Sequence, residues 1–238
     1  MEVGKANYVH TFIPGHVHTW LRRNTGADRS FQNANDAADL PAPAMPRAKA
    51  FDETAILDRA ADLFWDRGYE AVSIQDLVDH LGLSRSSLYD TFGGKQALYL
   101  AALDRYRLAG AQETDPLQML IEETGSPRAA IEAFLRAVVS DAVANCLGCF
   151  VVNATTERAP HDPETAQRVR DSLEALQARF ERGVRLAQDA GEVASDRDAQ
   201  ALGRVFANTV YGLRVTARVS PDRAVLDDVV EQTMRLLG

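Results

Sequence analysis

From Phe51 onward, apolar positions recur with the period of an α-helix. Ile56, Ala60, Leu63 and Phe64 fall at i, i+4, i+7 and i+8, and Arg67 follows at i+11. Asp52 and Glu53 suit the positive end of that helix, and Gly68 suits its C-terminal cap. Ser73 opens a second helix, with Asp76 at the capping-box position in place of a glutamate. Its apolar face is Ile74, Leu77, Val78 and Leu81. Gly82 breaks it, Leu83 fills the turn, and Ser84 caps a third helix carrying Leu88, Tyr89 and Phe92. Gly93-Gly94 ends that helix. Lys95 opens a longer fourth one that runs to about Ala111, with Leu98, Ala101, Ala102, Leu103 and Tyr106 inside.

Beyond Asp115-Pro116 the pattern predicts helices near 116–124, 127–145, 148–158, 163–190, 196–218 and 222–237. Pro127, Pro163 and Pro221 are expected in first turns, where the missing N–H costs nothing. No strand-like alternation bounded by turn residues occurs, and no internal repeat. The expected fold is all-α, about ten helices, with a small N-terminal bundle and a larger C-terminal one. Residues 1–50 differ, mixing His, Asn, Pro and Gly without periodicity and closing on Pro41-Ala42-Pro43-Ala44-Met45-Pro46. A disordered or dispensable tail is expected over 1–46. A chain starting at Met45 would read Met-Pro-Arg-Ala-Lys-Ala-Phe-Asp, so residues 1–44 are expected to be a tail or an over-extended start.

Composition narrows the classes. At 238 residues, with 46% apolar and 25% charged side chains, the chain can bury a core without disulfides or metals. Its two cysteines, Cys146 and Cys149, exclude a disulfide-stapled secreted domain. No apolar run reaches the ~18–20 residues of a membrane span, and Met1 to Trp20 lacks the apolar centre of a signal peptide, so a cytoplasmic protein is expected. Arginine outnumbers lysine 23 to 3 and alanine is abundant, a GC-rich coding bias that points to a bacterial source. The formal charge of −8 supplies no overall attraction to nucleic acid, so any DNA binding must come from a local surface.

Such a surface lies between Ser73 and Lys95. Two short helices joined by Leu81-Gly82-Leu83 form a helix-turn-helix layout, whose second helix enters the major groove. Leu88 and Phe92 anchor that helix, while Arg85, Ser86 and Ser87 present a low face to base edges. Arg85 has the reach for a bidentate pair with guanine O6/N7. Ser84, Tyr89, Thr91 and Lys95 suit phosphate contacts, which position without reading sequence, and Ser73 stands at the start of the first of the two helices. The N-terminus of the fourth helix adds a dipole that favours a phosphate near Lys95.

Residues 51–106 resemble the DNA-binding domain of the TetR family of bacterial transcriptional regulators. The resemblance rests on Phe64…Gly68-Tyr69, Ser73-Ile74…Leu77-Val78, Leu81-Gly82-Leu83-Ser84 and, above all, Leu88-Tyr89-Asp90-Thr91-Phe92-Gly93-Gly94-Lys95-Gln96-Ala97-Leu98. Gly148-Cys149-Phe150-Val151-Val152-Asn153 and Ala159-Pro160-His161-Asp162-Pro163-Glu164 are similar to an AcrR-like subgroup. The resemblance implies an Ω-shaped homodimer on double-stranded operator DNA, with heads at 47–110 and a ligand-binding and dimerisation domain at 111–238. A small-molecule effector would separate the heads and release a repressor from a pseudo-palindromic site. Thr91 departs from the family, where many relatives carry histidine, as does Asp90, which is expected to face away from phosphate or pair with Arg85 or Lys95. The stretch 51–110 holds six basic and ten acidic side chains, so Arg47 and Lys49 are expected to act as a basic arm.

Other features admit two readings each. Cys146 and Cys149 lack the second cluster a zinc site needs and fit either small core residues or a thiol sensor of oxidants or electrophiles acting through Cys149. His10, His16 and His18 fall in the tail as a chance cluster. His161 reads as a loop and cap residue and His80 as exposed. Phe134, Val138, Cys149, Asn153, Phe206 and Tyr211 are candidates for a ligand pocket or for plain core. Asn153 is the best of them, because a buried amide on an apolar stripe needs a partner and a ligand can be one. The wide apolar faces of the last two helices point to a two-fold dimer interface through Val205, Thr209, Leu213, Val229, Val230 and Met234. No metal, cofactor or catalytic constellation is expected, so an enzyme is not. The reading from another class is a helical small-molecule-binding or partner-binding protein without DNA binding.

Overall fold

The computed structural model describes residues 51–109, 115–146 and 148–238. Ten α-helices run through them: α1 Glu53–Arg67, α2 Ile74–Leu81, α3 Arg85–Phe92, α4 Lys95–Ala109, α5 Pro116–Thr124, α6 Pro127–Asn145, α7 Phe150–Glu157, α8 Pro163–Asp189, α9 Ala199–Val219 and α10 Arg223–Met234. A short 3-10 turn, Arg235–Leu237, closes the chain. The tail over 1–46, with Arg47 and Lys49, lies outside the described residues.

Local chemistry sets most helix starts. The side chains of Asp52, Ser84, Asp115, Ser126, Asp162, Asp198 and Asp222 each accept a backbone N–H of the helix they precede, a contribution of about 1 kcal/mol apiece. Ser73 and Asp76 cap α2 reciprocally, as their spacing predicts. Those bonds hold the Asp76 carboxyl below the usual carboxylate range. Pro116, Pro127 and Pro163 occupy first turns. Pro221 does not: Asp222 is the cap of α10, which leaves the proline one residue outside the helix. Asp198 likewise starts α9 later than periodicity alone predicts. Gly82 takes a left-handed φ of 68°, which lets the chain reverse between α2 and α3.

Two apolar cores result. One joins α1 to α4 with α7, through residues such as Phe64, Leu77, Leu88, Leu98 and Phe150. Its centre is a chain of edge-on aromatic pairs, Phe64–Tyr99 at 5.1 Å, Tyr99–Phe150 at 5.5 Å and Tyr106–Phe150 at 5.7 Å. The other lies among α5, α6, α8, α9 and α10, around Ile131, Phe180, Phe206 and Val230. The backbones of α8 and α9 nearly touch where Gly203 meets Gln177 and Glu181. No single described helix is long and apolar enough to cross a membrane.

Candidate nucleic-acid interface and effector domain

The α2–turn–α3 unit is held from below by Leu77, Leu81, Leu83 and Leu88, all buried. That anchoring turns the opposite face of α3 outward. Arg85 and Ser86 are exposed there, Ser87 is half-buried, and the Tyr89 ring keeps 45% of its surface. The Ser84 hydroxyl caps α3 by accepting the Ser87 N–H at 3.0 Å and lies 3.0 Å from the Ser86 and 2.8 Å from the Ser87 hydroxyl. These hydroxyls belong to the residue before Arg85 and to the two that follow it. Thr91 is half-buried and Asp90 exposed. Ser73 is exposed, but its hydroxyl is engaged with Asp76 in the capping box, which makes it a structural residue of α2. The Lys95 ammonium at the start of α4 rests over the Tyr69 ring, 4.2 Å from its centroid. His80 is exposed as expected, with Nε2 at 3.1 Å from the Arg59 carbonyl.

The six pocket candidates do not converge. Phe134, Val138 and Phe206 belong to the second core, where Phe180 sits 5.3 Å from Phe134 and 5.5 Å from Phe206. Cys149 and Tyr211 pack in or against the first core, and Asn153 bonds to Trp65, whose ring lies in that core. Asn153 needs no ligand to satisfy its amide: Nδ2 donates to the Trp65 carbonyl at 3.3 Å, and Arg218 donates to Oδ1 at 3.1 Å. The two cysteines part company as well. Cys146 is exposed at the end of α6 with a left-handed φ of 52°, while Cys149 is buried ahead of α7 and accepts a long 3.8 Å contact from the Tyr106 hydroxyl. Burial pushes the Tyr106 phenol well above its ordinary pKa.

Next to Cys149 lies a buried ion pair that sequence reading missed. Arg214 of α9 meets Asp141 of α6 at 3.2 Å and donates to the Gly148 carbonyl at 3.4 Å. Each is a lone charge in an apolar run, a signal that was present but unused. Among the described residues no group of three or more side chains is placed to hold a metal ion.

Half of the expected dimer face points inward. Leu213, Val230 and Met234 are buried in the second core, because α9 and α10 both pack on α6 and spend their widest faces inside the chain. Thr209 is half-buried, with its hydroxyl donating to the Val205 carbonyl at 3.0 Å. Val205 and Val229 are exposed, and Val215, Val219 and Val225 join them, with Val219 at 87%.

Comparison with known proteins agrees with this geometry. Residues 56–102 match the family model of bacterial regulatory proteins, tetR family, and residues 126–233 match that of the tetracyclin repressor-like C-terminal domain. The chain is 35% identical over 196 residues to the HTH-type transcriptional regulator YezE of Bacillus subtilis, covering 81% of this chain and all of that one. It is 32% identical to the HTH-type transcriptional repressor ComR of Escherichia coli, over 85% of this chain and 97% of the relative. Among solved structures, a cysteine mutant of the TetR family regulator CifR complexed with 26-bp double-strand operator DNA superposes with a TM-score of 0.70 at 29% identity, over 79% of this chain and 98% of that one. The chain belongs to the TetR family of bacterial transcriptional regulators.

Proposed function

We propose that the protein is a cytoplasmic, homodimeric repressor of the AcrR-like subgroup, released from a pseudo-palindromic operator by a small-molecule effector. Heads at 47–110 read DNA, and 111–238 bind effector and partner. The observation that carries the reading is the outward face of α3, where exposed Arg85 sits in sequence among the Ser84, Ser86 and Ser87 hydroxyls while Leu77, Leu81, Leu83 and Leu88 are buried. Arg85 reads a base, with Ser86 and Ser87 beside it at the base edges; Ser84, Tyr89, Thr91 and Lys95 hold the backbone. Two copies joined through Val205, Val215, Val219, Val225 and Val229 present two such faces, about 34–36 Å or one DNA turn apart.

The test is equilibrium binding to double-stranded DNA from upstream of the protein's own gene, across a salt series. Arg85→Ala is expected to lose about 1–3 kcal/mol on the operator and to relax preference at one base pair. Lys95→Ala is expected to weaken every sequence alike and to flatten the salt slope by about one. Equal loss on all sequences for Arg85→Ala would reduce that residue to a phosphate contact.

A second reading, thiol sensing, draws support from the place of Cys149. It opens α7 without a side-chain cap and lies beside the Tyr106 hydroxyl, so a group added to its sulfur would disturb the start of that helix. Treatment with N-ethylmaleimide is expected to release DNA from wild type and not from Cys149→Ser. Equal behaviour of the two proteins removes this reading and leaves the first.

A further inference from the structure

Besides the apolar packing around Phe150 and the Asn153–Trp65 bond, two groups of charge-assisted bonds tie the head to the rest of the chain. One is on α4, whose second half is latched to α8: Arg107 donates to the Ser172 hydroxyl at 2.7 Å and Arg168 to Asp104 at 2.8 Å. The other is at the turn between α1 and α2. Here the carboxylate of Glu157, the last residue of α7, accepts the backbone N–H of Tyr69 and of Glu70, each at 2.9 Å. Two amides on one carboxylate form a bidentate, charge-assisted grip, stronger than a neutral pair. Gly68 makes room for it. Its φ is 81°, and a Cβ there would stand 2.9 Å from Glu157 Oε1. The next residue, Arg158, stacks over the Tyr69 ring at 4.2 Å and meets Glu70 at 3.3 Å. The Tyr69 ring thus carries Arg158 from the body and Lys95 from the head.

Apolar packing on Phe150 holds the head against α7 without direction, while directional bonds on α4 and on the α1–α2 turn set its orientation. Ser73, which starts α2, follows Glu70 by three residues. The grip therefore sets the direction of the whole helix-turn-helix. We infer that Glu157 and Arg158 are specificity-determining residues for DNA: they touch no base, yet by clasping the Tyr69-Glu70 turn they fix the separation and tilt of the two reading helices, and hence which half-site spacing the dimer accepts. The inference rests on the proposed two-half-site operator. Pre-organisation of the heads also contributes affinity, because an untethered head must be ordered on binding.

The experiment is selection of tight binders from a randomised pool of double-stranded DNA by the full-length wild type, Glu157→Gln and Arg158→Met. Glutamine keeps the shape but sets an NH2 against one of the two amides. Arg158→Met leaves both amide bonds intact and removes the stack and the ion pairs with Glu70 and Asp162, so a folding failure of the first variant does not end the test. Wild type is expected to enrich paired half-sites at one spacing. Both variants are expected to enrich the same half-site over a broadened range of spacings. Their affinity for the wild-type operator should fall about tenfold, and affinity for DNA with a single half-site should stay within about twofold. A merely structural role for the two residues would lower binding to both DNAs together. One sharp spacing, identical in the folded variants and wild type, overturns the clasp. A wild-type pool without paired half-sites overturns the operator reading and the clasp with it.

Discussion

Tyr99 illustrates how a single atom can tax a core. Its ring is packed among Phe64, Tyr69 and Phe150, and its hydroxyl is buried with no hydrogen-bond partner among the described residues. Burial pushes that phenol far above its ordinary pKa. A buried unpaired hydroxyl costs about 1–3 kcal/mol, while the ring's packing is unchanged by losing it. Tyr99→Phe is therefore expected to raise stability by about 1 kcal/mol in a denaturant titration. A loss of stability instead would show that the hydroxyl is paired. At this scale the sequence was readable where partners are local. The Ser73–Asp76 capping box and the Ser84 cap follow from spacing alone. The partners of Asn153, Trp65 and Arg218, lie 88 and 65 residues away, which spacing does not reveal.

Between elements, two contacts make predictions of their own. A Cβ at position 203 would lie 2.9 Å from the Gln177 carbonyl oxygen and 2.9 Å from the Glu181 amide nitrogen, both backbone atoms of α8. Alanine would gain about 0.5–1 kcal/mol of helix propensity, but overpacking against backbone costs about 1–3 kcal/mol. The second effect wins, so Gly203→Ala should lower the melting temperature. The start of α8 responds to acid. Burial works against charge on Asp162, but the Thr165 hydroxyl and amide and the Arg158 guanidinium outweigh it and hold its carboxyl below the ordinary value of 3.8. A depressed folded pKa stabilises fully above the unfolded value and loses that contribution as pH falls through the folded one. Stability should thus decline as pH falls below the ordinary value of 3.8, and less steeply in Asp162→Asn, which still caps the helix without titrating. Helix boundaries were legible to within a few residues. The burial of Leu213, Val230 and Met234 was not, because a stripe shows how much surface must be covered and not by what.

For the whole molecule, the exposed valines of α9 and α10 carry the strongest expectation. Val229→Glu places a charge on a face where Val205, Val215, Val219 and Val225 are already in solvent. In the monomer this costs almost nothing; in a dimer it buries an unpaired carboxylate. Sedimentation equilibrium should show wild type as a dimer and the variant shifted to monomer, with binding to the paired operator lost and the helical content unchanged. The family and the helix-turn-helix were legible from residues 73–98, where motif and geometry coincide. The Arg214–Asp141 pair and the Glu157 grip were not, since each joins helices distant in sequence.

The aromatic chain through Phe64, Tyr99 and Phe150 bears on engineering as well. Phe150 comes from α7, so the head's core is completed by a helix that belongs, in chain order, to the body. A chimera that grafts these heads onto a foreign regulator at position 110 would leave Tyr99 and Tyr106 facing an unmatched wall. Custom repressors assembled from this protein should carry residues 149–158 with the head as a second, non-contiguous module.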